Sequence, residues 1–151
     1  MYSESITLFN HYSDRLGETW YPHVLKNVDL IVDRASIVAK YGNESSSSAK
    51  LHVKYEDGEG IHINGVPYLG PAEWKKLTTE ERAEYITFNT DTEAPDFFVL
   101  GEVEEDKIIF DSAESMTNLL QRKAKEQEVY ILTTASAPYK VIKHFEILAR
   151  G

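Results

Sequence analysis

The chain has no cysteine. That excludes a disulfide framework and a thiolate zinc site, and it permits a reducing compartment. No apolar run approaches the ~20 residues that cross a bilayer. The opening Met1-Tyr2-Ser3-Glu4-Ser5 lacks the basic cluster of a signal peptide. A cytoplasmic protein with no membrane partner is the expectation. Cations are scarce: sixteen Lys and Arg face twenty-five Asp and Glu, a formal charge of −9. Phosphates are repelled by such a balance, which disfavours a sequence-reading nucleic-acid binder. Nucleophile and phosphate motifs are missing as well. There is no Gly-x-Ser-x-Gly elbow, and Gly58 and Gly60 lack the rest of either phosphate-binding fingerprint.

What is present is ordinary for a folded protein. The 151 residues, 42% apolar and 27% charged, suit a single domain over 1–151. Ile6 to Tyr12 reads as a strand that turns through a Gly-centred loop at Asp14 to Glu18. It resumes at Trp20 to Val28, where Pro22 points to an edge or a strand start. Val28 to Lys40 is crowded with β-branched residues and reads as one long strand or a bent pair. Tyr41 to Ala49, with Gly42, Asn43, Glu44, Ser45, Ser46, Ser47 and Ser48, offers almost no burial to offset the entropy of ordering, so a mobile loop is expected there. Leu51, Val53 and Tyr55 alternate with polar residues and resume at Ile61 and Ile63, which predicts a hairpin; Asn64-Gly65 predicts a second tight turn, before an edge strand at Val66-Pro67-Tyr68.

Pro71 at a first helical position predicts a short helix through Leu77 with Trp74 and Leu77 inward, and Thr78 to Glu81 matches a capping box. Tyr85 to Phe88 and Phe97 to Val103 read as strands around the acidic loop Asn89 to Asp96. An amphipathic helix is predicted from Ser112 to Lys125, with Met116, Leu119, Leu120 and Ala124 on one face. Val129 to Thr134 and Val141 to Leu148 close the chain as a hairpin. The residues alone predict a mainly β fold with one amphipathic helix and long loops; taken with the resemblance given below, the expected architecture is a small β-barrel or rolled antiparallel sheet.

Few residues suggest chemistry. His52 and His62 share the outer face of the expected hairpin, but a transition metal needs three or four convergent ligands, and no third has a defined place beside them. Asn89, Asp91 and Glu93 begin like a calcium loop, yet Ala94 replaces its glycine and Leu100 its terminal carboxylate. Glu102 to Asp106 reads as a solvated turn, and His11, His23 and His144 as structural residues in or beside strands. Neither a metal, a cofactor nor catalysis is expected. Trp20 and Tyr21 suit either core packing or an interface anchor.

Several segments together resemble small structural proteins of the phages and prophages of Gram-positive bacteria. These are Ile6 to Tyr12, Trp20 to Val28, Pro71-Ala72-Glu73-Trp74-Lys75, Tyr85-Ile86-Thr87-Phe88, Asp96 to Val103 and His144-Phe145-Glu146-Ile147. The resemblance implies a head-completion (head-closure) protein of the tailed-phage neck. Such a protein is a small β-barrel that forms a homo-oligomeric ring beneath the portal complex, joins head to tail and helps retain DNA. Its implied partners are portal or adaptor proteins and tail-completion or tail-tube proteins, with DNA passing non-specifically through the lumen. It would reside in the bacterial cytoplasm during assembly and then in the virion neck. Tyr41 to Ala49 is the counterpart of the family's projecting loop, and with Trp20 and Tyr21 it forms the candidate interface. A β-barrel module binding a peptide or sugar is the rival reading, since a fold class does not determine function; a hydrolase is the third.

Overall fold

The computed structural model describes residues 2–33, 48–103 and 128–151, together with the backbone of 108–110. Ten strands are described: β1 (Glu4–Asp14), β2 (Gly17–Asp33), β3 (Ser48–Lys54), β4 (Glu56–Gly58), β5 (Gly60–Ile63), β6 (Val66–Pro67), β7 (Phe97–Leu100), β8 (Ile108–Phe110), β9 (Val129–Ala135) and β10 (His144–Arg150). The two described helices are short, α1 (Pro71–Lys75) and α2 (Thr79–Glu84). Strands β1-β7-β9-β10-β3-β2 are hydrogen-bonded in that order, and β2 returns to β1. This closes a six-stranded antiparallel barrel and removes the open edges a flat sheet would leave. The expected β-barrel is therefore the fold.

Length lets β2 serve several neighbours. It pairs with β1 from Gly17 to Val28, with β8 through Glu18 to Trp20, and with β3 through Asp29 to Asp33. Pro22 is thus not at a strand start, but it lies on a stretch of β2 that among the described strands pairs with β1 alone, a local edge. It lies opposite Phe9 of β1, in the interval between the β8 and β3 registers, where its missing N–H removes no bond to either. The turn before β2 is tighter than expected, because Gly17 and Glu18 are already paired with Asp14 and Ser13.

Inside the barrel, Ile6 and Leu8 of β1 meet Leu25, Leu51, Val53, Phe98, Tyr130, Leu132, Phe145 and Ile147. Phe9, Trp20, Phe97 and Val99 form a second buried cluster. Successive residues of β7 alternate between the two, Phe97 and Val99 in one and Phe98 in the other, so this strand is buried on both faces. That is why its sequence is a continuous apolar run.

The hairpin expected across Leu51 to Ile63 is not formed as such. β3 lies in the barrel wall between β10 and β2, and only β4 folds back on β5, in a separate sheet ordered β4-β5-β6. His52 and His62 consequently sit in different sheets. Asn64 (φ 51°) and Gly65 (φ 81°) make the tight turn to β6, both in the left-handed region that a two-residue hairpin turn requires. The Asn64 amide does a second job: its oxygen accepts the Lys26 N–H at 3.0 Å and its nitrogen donates to the Lys26 carbonyl at 3.3 Å. The bond holds β2 beside Asn27 (φ 58°), where the β1 register slips.

Further expectations are corrected. Tyr85 to Phe88 is not a strand but an extended segment with one parallel bridge, Ile86 to Tyr68. β10 begins at His144, because Val141 belongs to the preceding turn. Ser48 and Ala49 are not loop residues: they open β3, paired with Asp33 and Val32 on one side and with Arg150 and Ala149 on the other. The rest of the expected mobile loop, Tyr41 to Ser47, and the amphipathic helix at Ser112 to Lys125 lie outside the described residues. α1 carries its proline at the start and buries Trp74, as expected, and α2 has the full capping box between Thr78 and Glu81.

Candidate interaction surface

Trp20 and Tyr21 are both core residues, and this decides between their two readings. Trp20 is fully buried and stacks on the His11 ring at 4.2 Å. Tyr21 meets the Trp74 ring edge-on at 5.5 Å, and its hydroxyl accepts from Arg82 Nε at 3.3 Å. Arg82 lies over the Tyr12 ring at 3.6 Å and donates to the Leu77 carbonyl. An interface role for the Trp20 and Tyr21 side chains is corrected accordingly: packing inside the chain already uses them.

The densest polar constellation is buried, and sequence reading missed it. Asp96 is fully enclosed. It accepts the His11 N–H at 2.7 Å, the Asn89 N–H at 2.7 Å and the Asn10 amide at 2.8 Å. Asn10 also donates to the Thr87 carbonyl at 2.7 Å and accepts the Thr87 N–H at 3.2 Å, so its amide treats the segment as a neighbouring strand would. Burial pushes the Asp96 carboxyl up to about 8 against the pull of its three donors. Burial likewise holds the His11 and His23 imidazoles down at about 4. The calcium-like residues serve the same loop. Asn89 accepts the Asp91 N–H and Asp91 accepts the Glu93 N–H, two side-chain turns in succession. Enclosure and the bonds that Asp96 and Asn10 make to both sides make this centre a fastening for residues 87–96 onto β1.

The accessible constellation lies on the outer wall. Antiparallel register sets Ile31, Lys50 and Leu148 side by side across β2, β3 and β10, and beside them Asp29, His52 and Glu146. His52 Nδ1 is 3.1 Å from Asp29 Oδ2, and its Nε2 is 3.6 Å from Glu146 Oε1. His144 Nε2 approaches the same Glu146 oxygen at 3.5 Å. His144 stacks on Tyr139 at 4.8 Å, and Tyr139 Oη donates to Glu146 Oε2 at 3.4 Å. A polar chain therefore runs from β2 to the base of the turn before β10. Beside it is a groove of about 280 Å³ lined by Lys50, Thr134, Ala135, Ser136, Glu146 and Leu148. Among the described residues, no group of three or more His, Asp and Glu side chains is placed to hold a metal ion.

From this wall the turn Tyr139 to Lys143 projects. Val141 is 99% exposed and Ile142 67%. The base is tied down: Tyr139 N–H donates to the His144 carbonyl at 2.9 Å, the Tyr55 hydroxyl to the Tyr139 carbonyl at 2.7 Å, and the Tyr55 N–H to the Lys143 carbonyl at 3.1 Å. Two adjacent aliphatic side chains thus stand in solvent on an anchored turn, flanked by Lys140 and Lys143. Residues 1–150 match DUF6751, a family of unknown function. The chain belongs to the DUF6751 family. Searches of curated proteins and of solved structures returned no match. The sequence signal for the turn was the apolar pair Val141-Ile142 between lysines, hidden because it read as the start of a strand.

Proposed function

We propose that this DUF6751 protein is a non-enzymatic structural subunit of the neck of a tailed phage or prophage. It would assemble as a ring between the portal complex and the tail, beside the path of the packaged DNA. The observation that supports this reading best is the pairing of a closed barrel with an anchored, solvent-exposed aliphatic turn at Val141-Ile142. A closed barrel supplies a rigid body without free edges, and exposed aliphatic pairs on rigid turns serve protein contacts. The surplus of carboxylates supports it too, since an acidic subunit lets DNA pass without capture. Deleting the gene from an inducible prophage tests the proposal. Filled heads without tails, with the protein found by mass spectrometry in wild-type particles, are the expected result. Infectious particles that contain none of it would overturn the assignment.

The groove beside Glu146 favours a second reading, a barrel module that binds a short peptide or a sugar, because Lys50, Thr134, Ser136 and Glu146 converge with Leu148 on one small hollow. Saturable binding of such a ligand by wild-type protein, lost in Glu146→Ala, would favour this reading over the neck.

A further inference from the structure

We infer that the turn Tyr139 to Lys143 is a docking finger for a second copy of this chain, and that it seats Val141 and Ile142 in that copy's groove between β9 and β10. This rests on the self-assembly part of the neck reading and adds the contact that would carry it.

Shape, charge and rigidity all favour this occupant. The finger is apolar at its tip and basic at its flanks, whereas a whole copy of the chain is acidic, at −9. The groove has an apolar floor on Leu148 and Ala135, one cation and one carboxylate in its lining, Lys50 and Glu146, the latter shared with Tyr139, His52 and His144, and Asp29 beyond His52. Its volume of about 280 Å³ accommodates aliphatic side chains, since a 150 Å³ apolar cavity already holds benzene. Ile31 and Leu148, both exposed, extend the apolar floor across the wall on either side of Lys50. In the docked pair Lys140 and Lys143 would lie against the Glu146 and Asp29 rim. Little ordering is required, because the turn is held by Tyr55 and by the Tyr139 stack on His144. Finger and groove are built from different residues but adjoin on one wall, where Tyr139 Oη meets Glu146 Oε2, so a finger can enter a second copy's groove either reciprocally in a pair or in succession around a ring.

Sedimentation and native mass spectrometry on the full chain test this. Wild-type protein should self-associate. A Val141→Asp/Ile142→Asp variant (finger-dead) and a Leu148→Glu variant (groove-dead) should each weaken self-association by at least about tenfold, with circular dichroism melts that overlay the wild type at dilution low enough to keep copies apart. Mixing the two variants should restore one junction and stop at heterodimers, because one copy keeps its groove and the other its finger. A wild type that stays monomeric overturns the inference, as do variants that associate like wild type or a mixture that forms no heterodimer. The neck reading has its separate test in the content of particles, so protein present in virions whose subunits join by another surface would sink the finger and leave that reading standing.

Discussion

Asp96 and Val141 show two opposite departures from ordinary burial. Asp96 is a carboxyl with no solvent exposure, surrounded by donors from β1 and its own loop, whereas Val141 is an aliphatic side chain left almost wholly in water. The buried carboxyl must stabilise the chain it sits in, because an unpartnered group there would cost more than its hydrogen bonds return. The exposed valine contributes almost nothing to the stability of its own chain, and its proposed role is in association. One region is read by perturbing folding and the other by perturbing association.

The largest effect is expected at the buried centre. Asp96→Ala strands the His11 and Asn89 N–H groups and the Asn10 amide without an acceptor, and should cost about 3–5 kcal/mol in denaturant unfolding. Asp96→Asn should cost less. Its single oxygen can stand at the Oδ2 position and keep the Asn10 and Asn89 bonds, leaving one conflict at His11. Equal losses for the two substitutions would show that neither the volume nor the two bonds that Asn keeps matters, and that the acceptor facing the His11 N–H carries the site.

Titration sharpens the same point. The folded Asp96, at about 8 against an ordinary 3.8, holds a proton that the unfolded chain releases, so its contribution is full below pH ~4 and is lost as pH rises toward 8. His11 and His23 have the opposite sign: at about 4 they refuse protons that the unfolded chain takes up near 6.5, so their contribution is full above that pH and is lost as pH falls toward 4. From pH 8 down to 6.5 stability should therefore rise by up to about 1.4 kcal/mol per unit. Below 6.5, two histidines outweigh one carboxyl and stability should fall by a similar net slope. Urea midpoints between pH 5 and 8.5 should trace a maximum near 6.5, and the limb above it should vanish in Asp96→Asn.

The contrast also explains what could be read from residues alone. Local signals were legible: a turn before β2, though a tighter one formed, the capping box at Thr78 and Glu81, Asn64-Gly65, and a strand in the apolar run of β7. The mainly β class followed from them, while the barrel was what the resemblance to phage structural proteins implied. Asp96 was not legible, because a carboxylate in an acidic, proline-containing loop reads as solvated, and its partners Asn10 and His11 lie far away in sequence. The same remoteness misplaced β3. Nothing near Leu51 reveals that its neighbours are Ile147 and Leu30, so alternation suggested a hairpin with the strand next in sequence. His52 was accordingly matched with His62, when β10 brings it Glu146 and His144 instead. Trp20 and Tyr21 illustrate the limit for single residues, since an aromatic pair beside a turn has the same sequence whether it anchors a partner or a core.

A smaller loss is expected at the cap of α2, which lies on the surface and serves only a short helix. In Thr78→Ala the Glu81 N–H loses the hydroxyl that accepts it at 3.2 Å, while Glu81 can still accept the residue 78 N–H. A loss of about 1 kcal/mol is expected in thermal or urea unfolding. A loss as large as that of Asp96→Ala would mean that α2 and the Arg82 contacts to Tyr12 and Tyr21 unfold as one unit with the barrel.

The smallest effect on folding should come from the finger, and its smallness is the point. Val141→Ser/Ile142→Ser removes two aliphatic side chains, which in a core would cost several kcal/mol. Here the side chains are mostly in water, and the turn is held by bonds from the Tyr55 hydroxyl and backbone that the substitutions leave intact. The change in unfolding free energy should therefore stay within about 0.5 kcal/mol. Measured at dilution low enough to keep copies apart, a loss above about 1 kcal/mol would show that the tip packs on its own chain, and the contrast with Asp96 would collapse. At higher concentration the wild type should gain stability that the variant does not, because assembly adds free energy only to folded copies. A concentration-dependent midpoint in the wild type beside a constant one in the variant assigns the exposed pair to association.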